Sequence, residues 1–264
     1  CGGNKAREVR NIRWQKMALR AANGLLDGVT ALLVLLAVVW SGYALWDNSR
    51  VYAAADNVQA GLLAFKPQPQ EDNSLSFGQL RDINPDVCGW LTLDGTAIDY
   101  PVVQGESNFT YLNTDVYGGF ALAGSIFLDV DCDADFSGRY SLLYGHHMEN
   151  GAMFGDVAAF AQADFFAAHT TGSVSLPDAA YTVELFACLC TDAYDSAVYD
   201  PARYQTGVQP LLDYLAANAV QQRPSSADAQ AGILALSTCA GAETNGRVVV
   251  FGWLHPVEKG DEMQ

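Results

Sequence analysis

The stretch Gly232-Ile-Leu-Ala-Leu-Ser-Thr-Cys239 is an apolar run that ends in a cysteine. Arg247 lies eight residues further on and opens a second apolar run, Arg247-Val-Val-Val-Phe-Gly-Trp253. Short apolar runs of this kind are typical of buried strands. The two runs therefore predict the closing strands of a sheet, with a cysteine at the end of one and an arginine at the start of the next.

A third predicted strand, Ser141-Leu-Leu-Tyr-Gly-His146, lies far upstream and ends in histidine. A thiolate is a strong nucleophile, a histidine can take and return its proton, and a guanidinium can donate to a developing oxyanion. A lone cysteine on an apolar strand is more often a buried core thiol. The company of Thr238, His146 and Arg247 instead favours thiol acyl transfer on Cys239.

These motifs resemble those of the sortase family. Leu236-Ser-Thr-Cys239 is similar to the sortase Leu-x-Thr-Cys motif, Leu143-Tyr-Gly-His146 to the sortase histidine motif, and Arg247 to the sortase arginine. The resemblance runs from about residue 77 to residue 253 and is greatest to class B, because of the sequence over 144–154 and the helix-bearing insertion before the cysteine strand.

The resemblance implies a fold and an activity. The fold would be mainly β with helices (α+β), a mixed β-barrel with an N-terminal transmembrane helix and a helix-bearing insertion before the catalytic strand. Cys239 would attack a backbone carbonyl in an Asn-Pro-x-Thr-type sorting motif near the C-terminus of a secreted protein. His146 would protonate the leaving amine, and Arg247 would support the oxyanion or hold the peptide. A peptidoglycan precursor or pilin amine would resolve the thioester, with no cofactor or metal.

Several other residues are expected near the substrate. Ser237 and Thr238 precede the nucleophile and are expected to touch the peptide, and Leu112 to line its groove. Tyr199 and Tyr194 both lie in the insertion. The resemblance implies that such a loop forms a wall of the peptide groove, and packing against other aromatic rings explains the two side chains equally well. His147 competes with His146, but successive side chains of an extended chain point to opposite sides, and the resemblance matches His146.

Residues 28–46 form an uncharged apolar segment of 19 residues, enough for about 28 Å of helix. Six basic residues precede it within the first 20, which by the positive-inside rule predicts a cytoplasmic N-terminus. We therefore expect a basic cytoplasmic segment (1–27), a transmembrane helix (28–46), a stalk or packed helical region (47–76) and the catalytic domain (77–264). A signal peptide cleaved near Tyr52-Ala-Ala-Ala-Asp56 is the alternative. Cys1 is interpreted as a truncated or processed start without a function of its own.

The charge is unevenly distributed. The chain has a net charge of −16 and a pI near 4.3, and the part from Val51 onward has seven basic and 27 acidic residues. Nucleic-acid binding requires basic patches, so nucleic acid is excluded as a partner.

The remaining cysteines do not predict a metal or disulfide framework. Cys188 and Cys190 lie two apart on one strand, which suits a mutual disulfide poorly, and Cys88 and Cys132 would pair only if the fold brought them together. No paired Cys-x-x-Cys motif indicates zinc. The acidic run over 129–135 departs from the EF-hand pattern at Ala134 and Tyr140, which favours a solvated acidic loop over a calcium site.

The other elements follow from periodicity. Strands are predicted over 89–95, 98–103, 125–129, 140–144, 174–176 and 181–190, and helices over 77–83 and 208–222. The second helix would turn Leu211, Leu212, Leu215 and Val220 inward. Two rival functions remain open, a hydrolytic cysteine protease with the same Cys and His, and a non-catalytic membrane-anchored binding module with a structural Cys239.

Overall fold

The structure is a computed structural model that describes residues 2–67, 73–225, 231–239 and 245–257, with Cys239 described by its backbone. Cys1 lies outside the described residues, as do residues 68–72 of the predicted stalk or packed helical region. The chain divides into two compact units, Cys1–Arg50 and Val51–Gln264.

A single long helix, α1 (Gly2–Leu62), makes up the first unit and continues into the second. Its most apolar 18-residue window has a mean hydropathy of 2.0, so the helix is long and apolar enough to cross a membrane. The predicted segment 28–46 lies within it. Near the end of that segment, the rings of Trp40, Tyr43 and Trp46 follow one another at centroid distances of 6.5 and 6.0 Å.

The last turns of α1, from Val51 onward, belong to the second unit and pack against its other residues. Ala55 and Leu62 are buried, and the Gln59 amide donates to the carbonyl oxygens of Ala97 and Asp99, each at 3.2 Å. Of the two alternatives for this region, the structure therefore has a packed helix over Val51–Leu62 and not a free stalk.

In the described part of the second unit, the sheet has nine strands: β1 (Val87–Leu93), β2 (Asp99–Val103), β3 (Ile126–Leu128), β4 (Tyr140–Tyr144), β5 (Thr171–Ser175), β6 (Ala180–Asp192), β7 (Gln221–Gln222), β8 (Gly232–Cys239) and β9 (Gly246–Pro256). Eight of them close into a barrel in the order β5-β1-β2-β3-β4-β8-β9-β6, with β6 pairing back to β5, and β7 adds to β6. The pairs β2–β3 and β4–β8 are parallel and the others antiparallel, which confirms the predicted mixed barrel.

The barrel interior is apolar because alternate residues of its strands point inward. Leu143, Leu236 and Val250 are ladder neighbours on one face of the sheet and are fully buried. The short helices α2 (Ser74–Ile83), α3 (Ala163–Ala168) and α4 (Gln209–Asn218) cover the outside, with 3-10 turns at Leu63–Phe65, Gly155–Ala161 and Pro201–Tyr204. The last of these turns and α4 lie in the predicted insertion between β6 and β8.

The helix predicted over 208–222 is too long. Its buried face carries Leu211 and Leu215 as expected, but α4 ends at Asn218, and Val220 is 46% exposed. The Val220 N–H donates to the Cys188 carbonyl at 2.8 Å, and the two residues that follow pair with β6 as β7. The backbone after Asn218 therefore pairs with the edge of β6, although the apolar periodicity assigned these residues to the helix.

Candidate active site

The strand order brings three sequence-distant strand ends to one edge of the barrel. In the order β4-β8-β9, β4 and β8 run parallel, so their carboxyl ends meet, and β9 begins at the same edge because it is antiparallel. The last ladder pairs are Tyr144 with Ser237 and Cys239 with Arg247. The Gly145 N–H extends the first ladder with a 3.2 Å bond to the Ser237 carbonyl, and His146 follows.

A groove of about 260 Å³ opens at this edge. It is lined by Asn108, Phe109, Leu112, Phe127, Tyr144, Gly145, His146, Ala193, Tyr199, Ser237, Thr238 and Arg247. Six of the seven predicted site residues are among them, and the seventh, Cys239, contributes its backbone to the same edge. Tyr194 is 81% exposed and does not belong to this lining.

A backbone carbonyl holds the His146 ring. His146 Nε2 lies 2.7 Å from the Leu112 carbonyl oxygen, and since a carbonyl only accepts, Nε2 carries the proton. Cysteine proteases usually use a side chain for this contact. In this protein the main chain of Leu112 makes the contact instead. The Leu112 side chain also lines the groove, so this residue contacts the site in two ways.

His147 faces elsewhere. It lines a separate cavity together with Glu149 and Asp156, and its Nδ1 is buried without a hydrogen-bond partner in the described part of the chain. The two neighbouring rings therefore lie on different sides, as alternation predicts.

The side chains of Tyr199 and Ser237 both line the groove and form a hydrogen bond with each other. The Tyr199 hydroxyl lies 2.8 Å from Ser237 Oγ, and its ring stacks on Tyr144 with a centroid distance of 6.2 Å and an interplanar angle of 13°. Ser237 is only 2% exposed, so this bond satisfies a hydroxyl that would otherwise be costly to bury.

Thr238 and Arg247 both have hydrogen-bonding groups in the groove lining. Thr238 Oγ1 is buried and has no hydrogen-bond partner among the residues described. One Arg247 N–H group donates to its neighbour's carbonyl, on Gly246, at 3.0 Å. A guanidinium carries five N–H donors, so one such bond leaves capacity for a peptide carbonyl or an oxyanion.

Three of the four other described cysteines are too deeply buried to compete as nucleophiles, whereas Cys190 is exposed. The four are free thiols, and Cys88 and Cys132 do not pair. Burial raises the pKa of Cys88, Cys132 and Cys188 to about 12. Such thiols are almost entirely protonated near neutral pH and are poor nucleophiles.

Sequence reasoning missed three polar residues around the groove: Asn108, Tyr144 and Asp129. Tyr144 belongs to the histidine motif, and its place beside Gly145 is the signal in the sequence that points to it. Asp129 was assigned to a solvated acidic loop, and that was wrong for this residue, since it is 2% exposed. The next acidic residues of the loop, Asp131 and Asp133, are exposed, and the described residues contain no group of three or more side chains suited to a metal.

Comparisons with known proteins agree with this geometry. No family model matches the chain. Sortase B of Listeria monocytogenes is 31% identical over 239 residues, which cover 86% of this chain and 96% of that relative. Among solved structures, a Streptococcus pyogenes class B sortase involved in pilus biogenesis is 38% identical with a TM-score of 0.63, and covers 68% of this chain and 97% of its own. A Staphylococcus aureus sortase B–substrate complex is 27% identical with a TM-score of 0.70, and covers 80% and 99%.

Proposed function

The chain belongs to the class B sortases and is a cysteine transpeptidase, and on that premise we propose that it is anchored in a membrane and acts on secreted proteins that carry a C-terminal Asn-Pro-x-Thr-type sorting motif. The observation that carries the proposal is the groove, where His146, Arg247 and the end of the cysteine strand share one edge of the barrel.

In the first half-reaction the Cys239 thiolate attacks the threonine carbonyl carbon of the motif. The carbon–nitrogen bond to the following residue then breaks, and the leaving amine takes a proton from His146. Arg247 donates N–H groups to the oxyanion that forms between these steps. The product is a thioester between Cys239 and the threonine carbonyl.

In the second half-reaction an amine attacks the thioester carbonyl. The amine gives up a proton to His146, an amide forms, and the thiolate of Cys239 is released. The acceptor is an amine of a peptidoglycan precursor or of a pilin lysine. One solved relative is described as involved in pilus biogenesis, which keeps the pilin amine beside the cell-wall amine as an acceptor class.

The long apolar helix α1 supports the anchoring part of the proposal. The basic residues ahead of the apolar segment support a cytoplasmic N-terminus. Protease treatment of intact cells should digest the domain after residue 46 and leave an N-terminal tag protected. A protected C-terminal tag would rule out this orientation.

The deciding experiment is cleavage of a fluorogenic Asn-Pro-Gln-Thr-Asn peptide by the full chain in detergent, with and without an added amine. We expect cleavage after threonine, an amine conjugate when the amine is present, and no cleavage by Cys239→Ala. Cleavage that yields only the free acid at any amine concentration would favour a hydrolytic protease. A chain that does not cleave the peptide, and whose Cys239 does not react with a thiol probe, would favour a binding module.

A further inference from the structure

A buried carboxylate lies directly behind the groove. Asp129 follows β3, is 2% exposed, and does not belong to the groove lining itself. Its carboxylate accepts three hydrogen bonds, from the Tyr144 hydroxyl to Oδ2 at 2.7 Å, from Asn108 Nδ2 to Oδ2 at 2.9 Å, and from the Asp131 N–H to Oδ1 at 2.9 Å. Two of these three donors are side chains that line the groove.

Among the residues that the structure describes, this carboxylate has no cationic partner. Within the described ranges the salt bridges join Lys66 to Asp99 and His255 to Glu184, and neither involves Asp129. Burying a carboxylate without a cation is costly unless hydrogen bonds replace its water. The three donors replace that water, so the position of Asp129 depends on the two groove side chains and theirs depends on Asp129.

Further contacts restrict the orientations that the Asn108 and Tyr144 side chains can adopt. Asn108 Oδ1 accepts the Val130 N–H at 2.9 Å, so both ends of its amide are held and one N–H of Nδ2 is left over. The Tyr144 ring stacks on Tyr199 and lies 5.1 Å from the Phe127 ring centroid. Burial, and then the Asp129 charge, raise the pKa of Tyr144, so its hydroxyl stays protonated and donates inward.

We propose that Asp129 is a positioning residue for substrate binding, which fixes the donor and acceptor directions that Asn108 and Tyr144 present to the bound peptide. The inference rests on the proposed function. With the hydroxyl proton directed to Asp129, the phenol oxygen can only accept from the groove side. In the Asn108 amide, the oxygen already accepts one hydrogen bond and one N–H is used, so the remaining N–H is the donor it presents there. The pair then matches a peptide group or carboxamide, which offers one donor and one acceptor.

Asp129→Asn tests this with almost no change in shape. If the new amide oxygen faces Tyr144 and Asn108, its NH₂ opposes the Asp131 N–H. If it turns over, its NH₂ opposes Asn108 Nδ2. Either orientation therefore loses at least one hydrogen bond. We expect KM for the sorting peptide to rise about tenfold while kcat changes by less than about threefold, because Cys239, His146 and Arg247 are untouched.

Two further variants separate positioning from a structural role. Tyr144→Phe keeps the stacked ring and removes the hydroxyl, so its KM should also rise, and the double variant Asp129→Asn/Tyr144→Phe should be no worse than Asp129→Asn alone. Asp131→Asn is the matched control, since it removes one charge from the same loop at an exposed position. A purely structural role for Asp129 would lower Tm and the active fraction and leave KM unchanged.

The measurements are KM and kcat for peptide cleavage, with Tm recorded for every variant. A raised KM in Asp129→Asn and Tyr144→Phe, with Asp131→Asn equal to wild type, supports the inference. An unchanged KM in a folded Asp129→Asn overturns it, as does an equal rise in Asp131→Asn. If Asp129→Asn does not fold, an unchanged KM in Tyr144→Phe overturns it instead. A wild-type chain that leaves the peptide uncleaved refutes the proposed function, and the inference with it, whereas the other adverse results leave the function standing.

Discussion

Gly145 is the position where the packing of the core and the geometry of the site meet. It separates Tyr144 from His146, and a Cβ at Gly145 would lie 2.5 Å from Ile126 Cδ1 and 2.6 Å from Phe154 Cγ. Both neighbours are core side chains, 1% and 0% exposed. Carbon atoms in contact prefer about 3.5–4.0 Å, so Gly145→Ala requires either these side chains or the backbone to move.

Overpacking of this kind costs about 1–3 kcal/mol. For a domain of this size, Tm falls by about 2–4 °C for each kcal/mol, so we expect a loss of about 2–12 °C. His146 is the next residue, and its 2.7 Å contact with the Leu112 carbonyl would shift with the backbone. Since a misplacement of about 1 Å can cost about 100-fold in rate, activity should fall by about 10- to 100-fold.

The assay is thermal unfolding of the full chain in detergent, followed by circular dichroism, together with peptide cleavage below the transition. Gly78→Ala is the matched control, because Gly78 is exposed in α2 and has no atom within 4 Å of its ideal Cβ. The free energy of unfolding of Gly78→Ala should rise by about 0.4–1 kcal/mol, and its activity should be unchanged. A Gly145→Ala protein with wild-type Tm and wild-type turnover would show that this reasoning is wrong.

The remaining predictions concern individual side chains. His146→Ala should lower turnover by about 100-fold or more through loss of the general acid, while His147→Ala should have a much smaller effect because that ring lines a different cavity; equal losses would contradict the assignment. Arg247→Lys should lose most activity, about 3–4 kcal/mol in transition-state stabilisation, because an ammonium cannot present two parallel N–H groups; lysine rescue relative to Arg247→Ala would leave only a general electrostatic role. Because burial raises three thiol pKa values to about 12, only about one in ten thousand of these thiols is ionised at pH 8, and the fraction rises only as pH approaches 12. A thiol reagent at pH 8 should therefore spare them in the native protein and label them in urea, as mass spectrometry of peptides would check; rapid native labelling would mean that the barrel opens. These thiols are Cys88, Cys132 and Cys188.

The chemistry-bearing residues and most of the local elements can be predicted from neighbouring residues alone. The apolar runs around Cys239, His146 and Arg247 depend only on neighbouring residues, and a strand forms at each of them, although β4 ends at Tyr144, two residues before His146. The uncharged run over 28–46 is likewise a local property, and it falls in a helix. Recognition of the family needed only these short motifs and their order along the chain.

Contacts between residues far apart in the chain fix the features that no local pattern contains. Parallel pairing of β4 with β8 joins residues almost a hundred positions apart, and that pairing places His146 at the edge where the cysteine strand ends. The end of α4 was set by the free edge of β6, which competed for the backbone after Asn218.

Asp129 is the sharpest case of this division. In the sequence it begins an acidic run that looks solvated. Its burial follows from hydrogen bonds to Tyr144 and Asn108, which lie 15 positions after it and 21 before it. A carboxylate is hydrated or buried according to the donors around it, and only the folded barrel brings these donors together.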